Sequence, residues 1–503
     1  MTDWILFPIV LPLLMATLSL LPRRWRFDRE LMAILGTLAH LIFCLLLFYQ
    51  VKSEGIQVLQ SGGWAAPFGI TLVADLFAAA MLVITGVVGF AIVIYSLGTV
   101  DELRQTFGYF PMLHVLILGC SGSFLAGDIF NLYVWFEVVL ISSFVLLTLG
   151  GERDQIIGGV KYVTLNLVAS AFFLTAIGLL YYQVGSLNFA DVAQKVGSLK
   201  DKSPLLMTEL LFLLAFLVKA GAFPFFFWLP ASYHTPPVAV AALFAALLTK
   251  VGIYVLFRFS SLLFTVQGNP FSTLILWLAG LTMVLGVLGA WSQTDIRRIL
   301  SFHIISQIGY ILMGLGLFTS LSLSGGIYFM LHNIFAKTNL FLIAGMIALL
   351  GGSYQVTKLG GLFRSFGLLG ALFLISAMSL AGIPPLSGFF GKFTLIKAGL
   401  AQGAYAIVIT SILVSVVTLL SMLKIWHHAF WKDHPEPNIN LEKKWSEHGK
   451  SRIYMLLPVL LFSGVTLSMG IFAEYFLNLT HQIATQLLEP NIYIKAVLGR
   501  NTL

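Results

Sequence analysis

Apolar positions along this chain fall into long unbroken blocks. They neither alternate, as in a half-buried strand, nor recur once per turn, as on an amphipathic helix. The blocks cover about 4–22, 31–51, 74–97, 109–127, 129–150, 161–184, 206–229, 239–258, 272–291, 299–318, 325–349, 367–400, 404–428 and 453–477. An α-helix rises 1.5 Å per residue, so about 20 apolar residues cross the hydrocarbon of a bilayer. The pattern predicts an all-α polytopic membrane protein of about fourteen transmembrane helices. Residues 4–22 have no basic stretch before them and no small-residue cleavage site, so they read as a retained first helix and not as a signal peptide.

The polar pieces between the blocks are short. The longest are about 52–72, 185–204 and 429–452. The first contains Gly62-Gly63 and some alternation, which suggests a hairpin. The third holds the charged run WKDHPEPNINLEKKWSEHGKSR, a solvated loop. After residue 478 a mildly amphipathic tail is expected at the membrane interface.

Two blocks are interrupted alike. The seventh has Ala220-Gly221 followed by Pro224; the twelfth has Ala381-Gly382 followed by Pro384 and Pro385, and is too long for one straight crossing. Proline lacks the N–H donor and clashes with the preceding turn, so both helices should break there. Carbonyls freed at that depth are tolerated only against protein or water. The two breaks are five spans apart. Gly158-Gly159 and Tyr162 also resemble Gly325-Gly326 and Tyr328, LTAIG at 174–178 resembles LIAG at 342–345, and Glu137 falls opposite His303. These matches suggest two five-helix repeats, 109–258 (helices 4–8) and 272–428 (helices 9–13), between an N-terminal three-helix segment (1–108) and a C-terminal piece (429–503). Five spans per repeat is an odd number, so the repeats must be inverted, as in many transporters.

Composition sharpens the picture. Of 503 residues only 10% are charged and 58% are hydrophobic. A soluble domain has roughly a quarter charged residues, so lipid must be the solvent for much of this surface. The net charge of +8 does not point to nucleic acid, because no basic stripe with interleaved aromatics exists. The basic residues sit between apolar blocks. Arg23, Arg24, Arg26, Arg29, Arg104, Arg153, Lys161, Arg297, Arg298, Lys358, Arg364, Lys432, Lys443, Lys444, Lys450 and Arg452 follow odd-numbered spans. The positive-inside rule then places both termini outside a bacterial cell membrane. Cys44 and Cys120 lie inside apolar blocks and read as packing residues, with no metal-ligand spacing.

Five charges remain deep inside the blocks: Glu137, Lys219, Lys250, Lys337 and Lys392. An ionisable group there is expensive and reads as functional. Lys397, Lys424 and Arg258 lie near span ends and can snorkel to water. A low dielectric disfavours the ammonium form of an amine, so a buried lysine can take up and release a proton near neutral pH. Glu137 near Lys219 would hold that lysine protonated, and separating the pair would release the proton. A static ion pair fixing helix packing is the competing account for these two. For Lys337 the competing account is Asn333, one turn earlier on the same face. His303 and His332 are candidate relays between lysines, with Gln307 a possible partner for His303. His40 and His114 read as packing residues. Asp75 and Asp128 lie at span ends, where charge is cheap, as interface groups or as a minor candidate sodium site. No phosphate loop, paired-cysteine motif, haem-ligand pair or nucleophile elbow is present. The chain thus shows no energy source and no cofactor of its own, and reads as a transporter component, not an enzyme.

At these residues the sequence resembles the antiporter-like subunits shared by respiratory complex I, membrane-bound hydrogenases and multi-subunit Mrp cation/proton antiporters. The carrying motifs are LYVWFEVVLISS around Glu137, FLVKAGAFPF around Lys219, FAALLTKVGIY around Lys250, LHNIFAKTNLF around Lys337 and SGFFGKF around Lys392. The stretch LPASYHTPPVAVAALFAALLTKVGIYVLFR is most similar to the D-type subunits of the Mrp branch. The resemblance implies fourteen helices, an inverted repeat with helices seven and twelve broken, and a proton path through the residues above. It also implies other antiporter subunits as partners and an indirect role for Na+. A proton-pumping subunit of a complex I-type oxidoreductase or hydrogenase, and a structural subunit without net conduction, are the alternatives.

Overall fold

The computed structural model describes residues 3–20, 28–199, 203–264, 270–435 and 441–499. Arg23, Arg24 and Arg26, and the side chain of Lys443, lie outside the described residues.

Among the described residues the regular structure is helical apart from one hairpin. In order it forms α1 (Phe7–Ser19), α2 (Arg29–Glu54), β1 (Gln57–Gln60), β2 (Thr71–Ala74), α3 (Leu76–Thr99), α4 (Tyr109–Leu125), α5 (Ile129–Thr148) and α6 (Arg153–Val184). Then come α7 (Phe189–Ser198), α8 (Leu206–Ala220), α9 (Val238–Leu262), α10 (Pro270–Ser292), α11 (Ile296–Leu317) and α12 (Ser320–Gly351). Last are α13 (Gly367–Ala381), α14 (Ser387–Ala401), α15 (Tyr405–Trp426), α16 (Ser451–Ile471), α17 (Ala473–Leu488) and α18 (Pro490–Leu498). Among the described residues eleven helices are long and apolar enough to cross a membrane, and three shorter apolar helices accompany them. They fall on the apolar blocks of the sequence. The stretch 52–72 is indeed part of a hairpin, with β1 and β2 antiparallel and Gln57 opposite Ala74.

Three boundaries differ from the pattern. Helices α6 and α12 each run 32 residues, about 48 Å, and extend beyond their apolar cores. Arg153 and Lys161 therefore lie within a helix and not in a loop. The last span ends at Ile471, and the tail is two further helices. These do not simply rest on lipid. Helix α17 packs on α3, α9 and α12, with Thr480 hydrogen bonded to Ser324 at 2.9 Å and Gln486 accepting from the Leu76 N–H at 3.3 Å. Helix α18 reaches α7 and β1, and residues 3–6 reach both strands, so the two ends of the described chain meet at the hairpin end of the bundle.

Burial sorts the helices. Every residue of the most apolar window of α9 is buried, and α11 and α12 are nearly as enclosed. The surrounding helices expose apolar side chains such as Ile141, Trp277, Leu288 and Leu413, as lipid-facing surfaces do. Lys250, Lys337, Lys392, His303 and His332 thus sit on or against three central helices.

The two breaks share one hydrogen-bond pattern. At the end of α8, Gly221 (φ 71°) donates to Leu217 and Val218, and Ala222 donates to Leu217. At the end of α13, Gly382 (φ 91°) donates to Met378 and Ser379, and Ile383 donates to Met378. Both ends are glycine C-caps whose left-handed backbone a side chain would strain.

A second pair of features also matches. Ile129 N–H donates to Leu187 and Phe189 N–H to Gly127; Ile296 N–H donates to Tyr354 and Val356 N–H to Thr294. All four positions shift by the same number of residues between the two sets. Asp128 and Asp295 cap the helices that follow, α5 and α11. The first bridge lies at the hairpin end, where Gly127 donates to Thr71. The second lies at the opposite end, beside Arg297 and Tyr354.

Candidate functional site

The first lysine sits one residue before the end of α8, just ahead of the glycine at which the chain must turn. Lys219 and Glu137 do not meet directly. The Lys219 ammonium donates to Ser170 Oγ at 3.3 Å, and Ser170 donates to Glu137 Oε1 at 2.5 Å. Ser170 is buried on α6, whereas Glu137 and Lys219 are half-buried in the isolated chain. The Phe136 ring centre lies 5.7 Å from the ammonium. A cavity of about 20 Å³ adjoins Lys219, lined by Tyr162, Asn166, Trp228, Leu248, Val251 and Gly252. That is room for about one water. Among the described residues the static, direct Glu137–Lys219 ion pair is therefore absent; a hydroxyl intervenes.

Glycine lets the next helix come close. A side chain at Gly252 on α9 would meet the Ala220 nitrogen at 2.9 Å, so α9 crosses directly over the break. Two residues earlier, Lys250 is fully buried, and its ammonium donates to the Ala245 carbonyl of its own helix. The carbonyl of Val218, close to the break, accepts from Trp228 Nε1 at 3.0 Å.

Lys337 is fully buried on α12 and its ammonium has no hydrogen-bond partner among the described residues. The ammonium thus makes no hydrogen bond to Asn333, so asparagine does not satisfy this lysine, which the sequence had allowed; Asn333 Nδ2 is itself unpartnered. Lys337 is close enough to Lys250 and Lys392 to feel both charges. His303 and His332 each feel Lys337 and Lys392.

At the second break, Lys392 donates to the Ala381 carbonyl and to Ser415, both at 3.0 Å, and its ammonium lies 4.6 Å from the Tyr310 ring centre. Tyr310 hydroxyl in turn reaches Ser415 at 2.8 Å. The second break thus gives its last helical carbonyl to a lysine, where the first gives one to a tryptophan. His332 spans this break, with Nδ1 2.8 Å from Ser387 on one side and 3.5 Å from Ser379 on the other. His303 pairs through Nε2 with Ser421 at 2.9 Å. Gln307 is not its partner: both ends of that fully buried amide are unsatisfied among the described residues. Together with His303 Nδ1, His332 Nε2, Asn333 and Lys337, Gln307 forms a buried set of polar atoms short of partners. Sites of this kind hold ordered water.

The structure thus joins Lys250, Lys337, Lys392, His303 and His332 in one electrostatic group, and sets Glu137 and Lys219 as a pair beside it. Gly221, Pro224, Gly382, Pro384 and Pro385 lie at the two breaks.

Several residues carried no signal in the sequence or were misread. Ser170, Ser415, Ser421 and Tyr310 look like ordinary members of apolar helices. Arg258 does not snorkel, and Asp75 is not an exposed interface group. They form a buried pair at 2.6 Å, with 7% and 4% of their side chains exposed. His234, just past the first break, donates from one ring nitrogen to the Pro230 carbonyl at 2.9 Å and accepts at the other from Arg298 at 3.1 Å, consistent with a neutral ring. Burial and the nearby Arg298 hold its imidazole below the usual range. It lines a cavity of about 440 Å³ with Asp154, Lys161, Phe226, Phe227 and Phe302, at the end opposite the hairpin. A second cavity there, of about 610 Å³, is lined by Arg104, Glu152, Gln155, Arg297 and His448. Lys424 lies near a span end as expected, donating to the Trp291 and Gln293 carbonyls at 2.9 and 2.7 Å.

Comparison with known proteins fits this geometry. The family model described as NADH:quinone oxidoreductase/Mrp antiporter, TM, matches residues 126–418. The chain is 42% identical to the D-type Na(+)/H(+) antiporter subunit of Alkalihalophilus pseudofirmus, over 99% of this chain and 100% of the relative. It is 39% identical to the D-type Na(+)/H(+) antiporter subunit of Bacillus subtilis, with the same coverage. It superposes on a chain of the Mrp complex from Dietzia sp. DQ12-45-1b with a TM-score of 0.88 at 30% identity, covering 99% of this chain and 100% of that one. With two broken helices and a buried row of lysines between them, the chain belongs to the NADH:quinone oxidoreductase/Mrp antiporter membrane family.

Proposed function

We propose that this chain is the proton-conducting D-type subunit of a multi-subunit Na+/H+ antiporter, working beside other antiporter subunits in a bacterial cell membrane with both termini outside. It is a transporter component, not an enzyme. Its relatives, named as D-type members of Na(+)/H(+) antiporters, support the class. One observation carries the mechanism: Lys250, Lys337 and Lys392 are all buried, Lys337 is close enough to each of the other two to feel its charge, and no carboxylate pairs with any of them among the described residues. Like charges in a low dielectric repel strongly, so a proton arriving on one amine drives the next to release its own. In this reading the proton passes from Lys219 to Lys250, Lys337 and Lys392, with His303, His332 and water closing the gaps. Glu137 sets the charge state of Lys219 or senses a neighbouring subunit.

The matched breaks and matched backbone bridges at opposite ends support two inverted repeats, 109–258 and 272–428. One repeat then offers a half-channel to one side of the membrane and the second repeat to the other. Sodium needs several oxygen ligands, and a row of ammonium groups repels it. It is assigned to another member of the complex.

The test uses everted vesicles from cells lacking other antiporters and expressing the whole complex. A proton gradient is established, sodium is added, and a pH-sensitive dye reports its collapse. The expected result is a sodium-triggered collapse in the wild type that vanishes in Lys219→Ala while the complex stays assembled. Retained transport in both Lys219→Ala and Glu137→Gln would sink the proposal. No sodium response in the wild type would favour a redox-driven relative, and loss of assembly in the variants would favour a structural subunit.

A further inference from the structure

Ser170 stands between Glu137, the carboxylate at mid-span, and the first lysine of the proposed path. A serine hydroxyl has one proton to give and two lone pairs to receive. An ionised carboxylate can only accept and an ammonium can only donate, so the chain of bonds has one direction: Lys219 to Ser170 to Glu137. The bond to Glu137, at 2.5 Å, has the short length of a charge-assisted O–H···O contact.

The setting holds this arrangement in place. Phe136 is next to Glu137, Phe173 is three residues after Ser170, and Phe216 is three residues before Lys219. The three rings touch edge to face, with centres 5.5, 6.2 and 5.1 Å apart. They pin α5, α6 and α8 together beside the three polar groups. One turn before Ser170 on the same helix, Asn166 lines the small cavity that also borders Lys219. The trio therefore has a packed aromatic cluster close by and space for a water beside it.

We propose that Ser170 is the relay through which Lys219 and Glu137 exchange a proton, an inference that rests on both residues lying on the proton route. In the step, an N–H bond of the Lys219 ammonium breaks as its proton passes to Ser170 Oγ. The original Ser170 O–H bond breaks as that proton passes to Glu137 Oε1. The products are a neutral amine, a hydroxyl whose donor direction is reversed, and a neutral carboxylic acid. Charges of plus one and minus one cancel, and no other reactant is needed. In the reverse step the Glu137 acid gives its proton to Ser170 Oγ and Ser170 gives its own to the neutral amine, which restores the carboxylate and the ammonium together. The hydroxyl thus converts the pair between two ionised groups and two neutral ones without any large movement of the helices.

The experiment compares Ser170→Ala, Ser170→Thr and Lys219→Ala in the assembled complex, using sodium-driven gradient collapse in everted vesicles across a range of pH, with subunit co-purification as the assembly control. Ser170→Ala is expected to slow transport by roughly a hundredfold, at the lower end of the range for losing a positioned proton-transfer group. Ser170→Thr keeps the hydroxyl and is expected to retain most of the activity with the wild-type pH profile. Wild-type transport in Ser170→Ala, alongside an inactive Lys219→Ala, would overturn the relay and leave Lys219 on the path. Equal impairment of the threonine and alanine variants in assembled complexes would show that shape and not the hydroxyl matters, and would also overturn it. An active Lys219→Ala would remove the proposed path itself.

Discussion

Breaking the Asp75–Arg258 pair tests whether the charges at the hairpin end of the bundle are buried structure or surface ornament. The carboxylate and guanidinium meet at 2.6 Å with 4% and 7% of their side chains exposed. Arg258 also donates to the Tyr254 hydroxyl at 2.8 Å, and that hydroxyl donates to the Phe124 carbonyl at 2.8 Å. The rings of Tyr254 and Tyr493 lie 5.4 and 5.3 Å from the guanidinium, so α18 packs against the pair. Asp75 additionally caps α3 by accepting from Ala78 N–H at 2.9 Å. Arg258→Met leaves a buried carboxylate with one helix N–H for company; a lone partner of this kind typically costs about 3–5 kcal/mol. Asp75→Asn keeps the cap but leaves the guanidinium without its anion, with a cost of similar order. The double variant removes both charges and, because a buried pair often gains little over neutral groups, should lie within about 1 kcal/mol of the wild type. Graded SDS unfolding in mixed micelles gives the four free energies and the coupling between the sites. An exposed pair would be worth about 0–1 kcal/mol, and all three variants would then look alike. If the double variant is as unstable as the worse single one, the charge argument is wrong and packing alone holds α18 in place.

Three further outcomes follow from named contacts. Lys337 has no hydrogen-bond partner to lose among the described residues, so Lys337→Met, of similar volume, should leave stability unchanged or raised while sodium-driven transport falls to background; a destabilised variant would mean that the ammonium has a structural partner. Burial pushes the Asp128 carboxyl up to about 6, so its contribution to stability is complete below its ordinary value near 3.8 and is lost as pH rises through 6. Asp128→Asn keeps a side-chain oxygen for the helix cap and stays neutral, so it should be more stable than the wild type at pH 8 by up to about 3 kcal/mol; the gap should close by pH 4, and one that ignored pH would refute the assignment. A methyl at Gly286 on α10 would sit 2.4 Å from the Ser306 backbone nitrogen on α11, whereas one at Gly178 on α6 would meet nothing within 4 Å. Gly286→Ala should therefore cost about 1–3 kcal/mol in the same SDS titration, and Gly178→Ala should be neutral or stabilising; equal effects would show that the two helices can part without penalty.

What the sequence made visible, and what it hid, divides along one physical line. An unpaired ammonium inside an apolar run stands out because lipid and protein both penalise it, and Lys250, Lys337 and Lys392 were visible for that reason. The breaks at Gly221 and Gly382 were visible because proline cannot continue a helix whatever surrounds it. Ser170, Ser415 and Ser421 left no mark, because a serine in a helix can turn its hydroxyl back to a carbonyl one turn away, as Ser143 does to Val139, and so is cheap whether or not it is used. Asp75 and Arg258 were misread for the opposite reason. Each lies near the end of its own block, 183 residues from the other, and only the fold shows that they cancel. The partners of the tail were hidden likewise, since Tyr493 and Thr480 find them only once α3, α9 and α12 are assembled. A satisfied pair hides each member's cost, so a reading by residue type is blind to pairs and sensitive to single charges. Single buried charges are also the ones free to change their protonation. That is why the pattern pointed to the lysine row sooner than to the contacts that hold the bundle together.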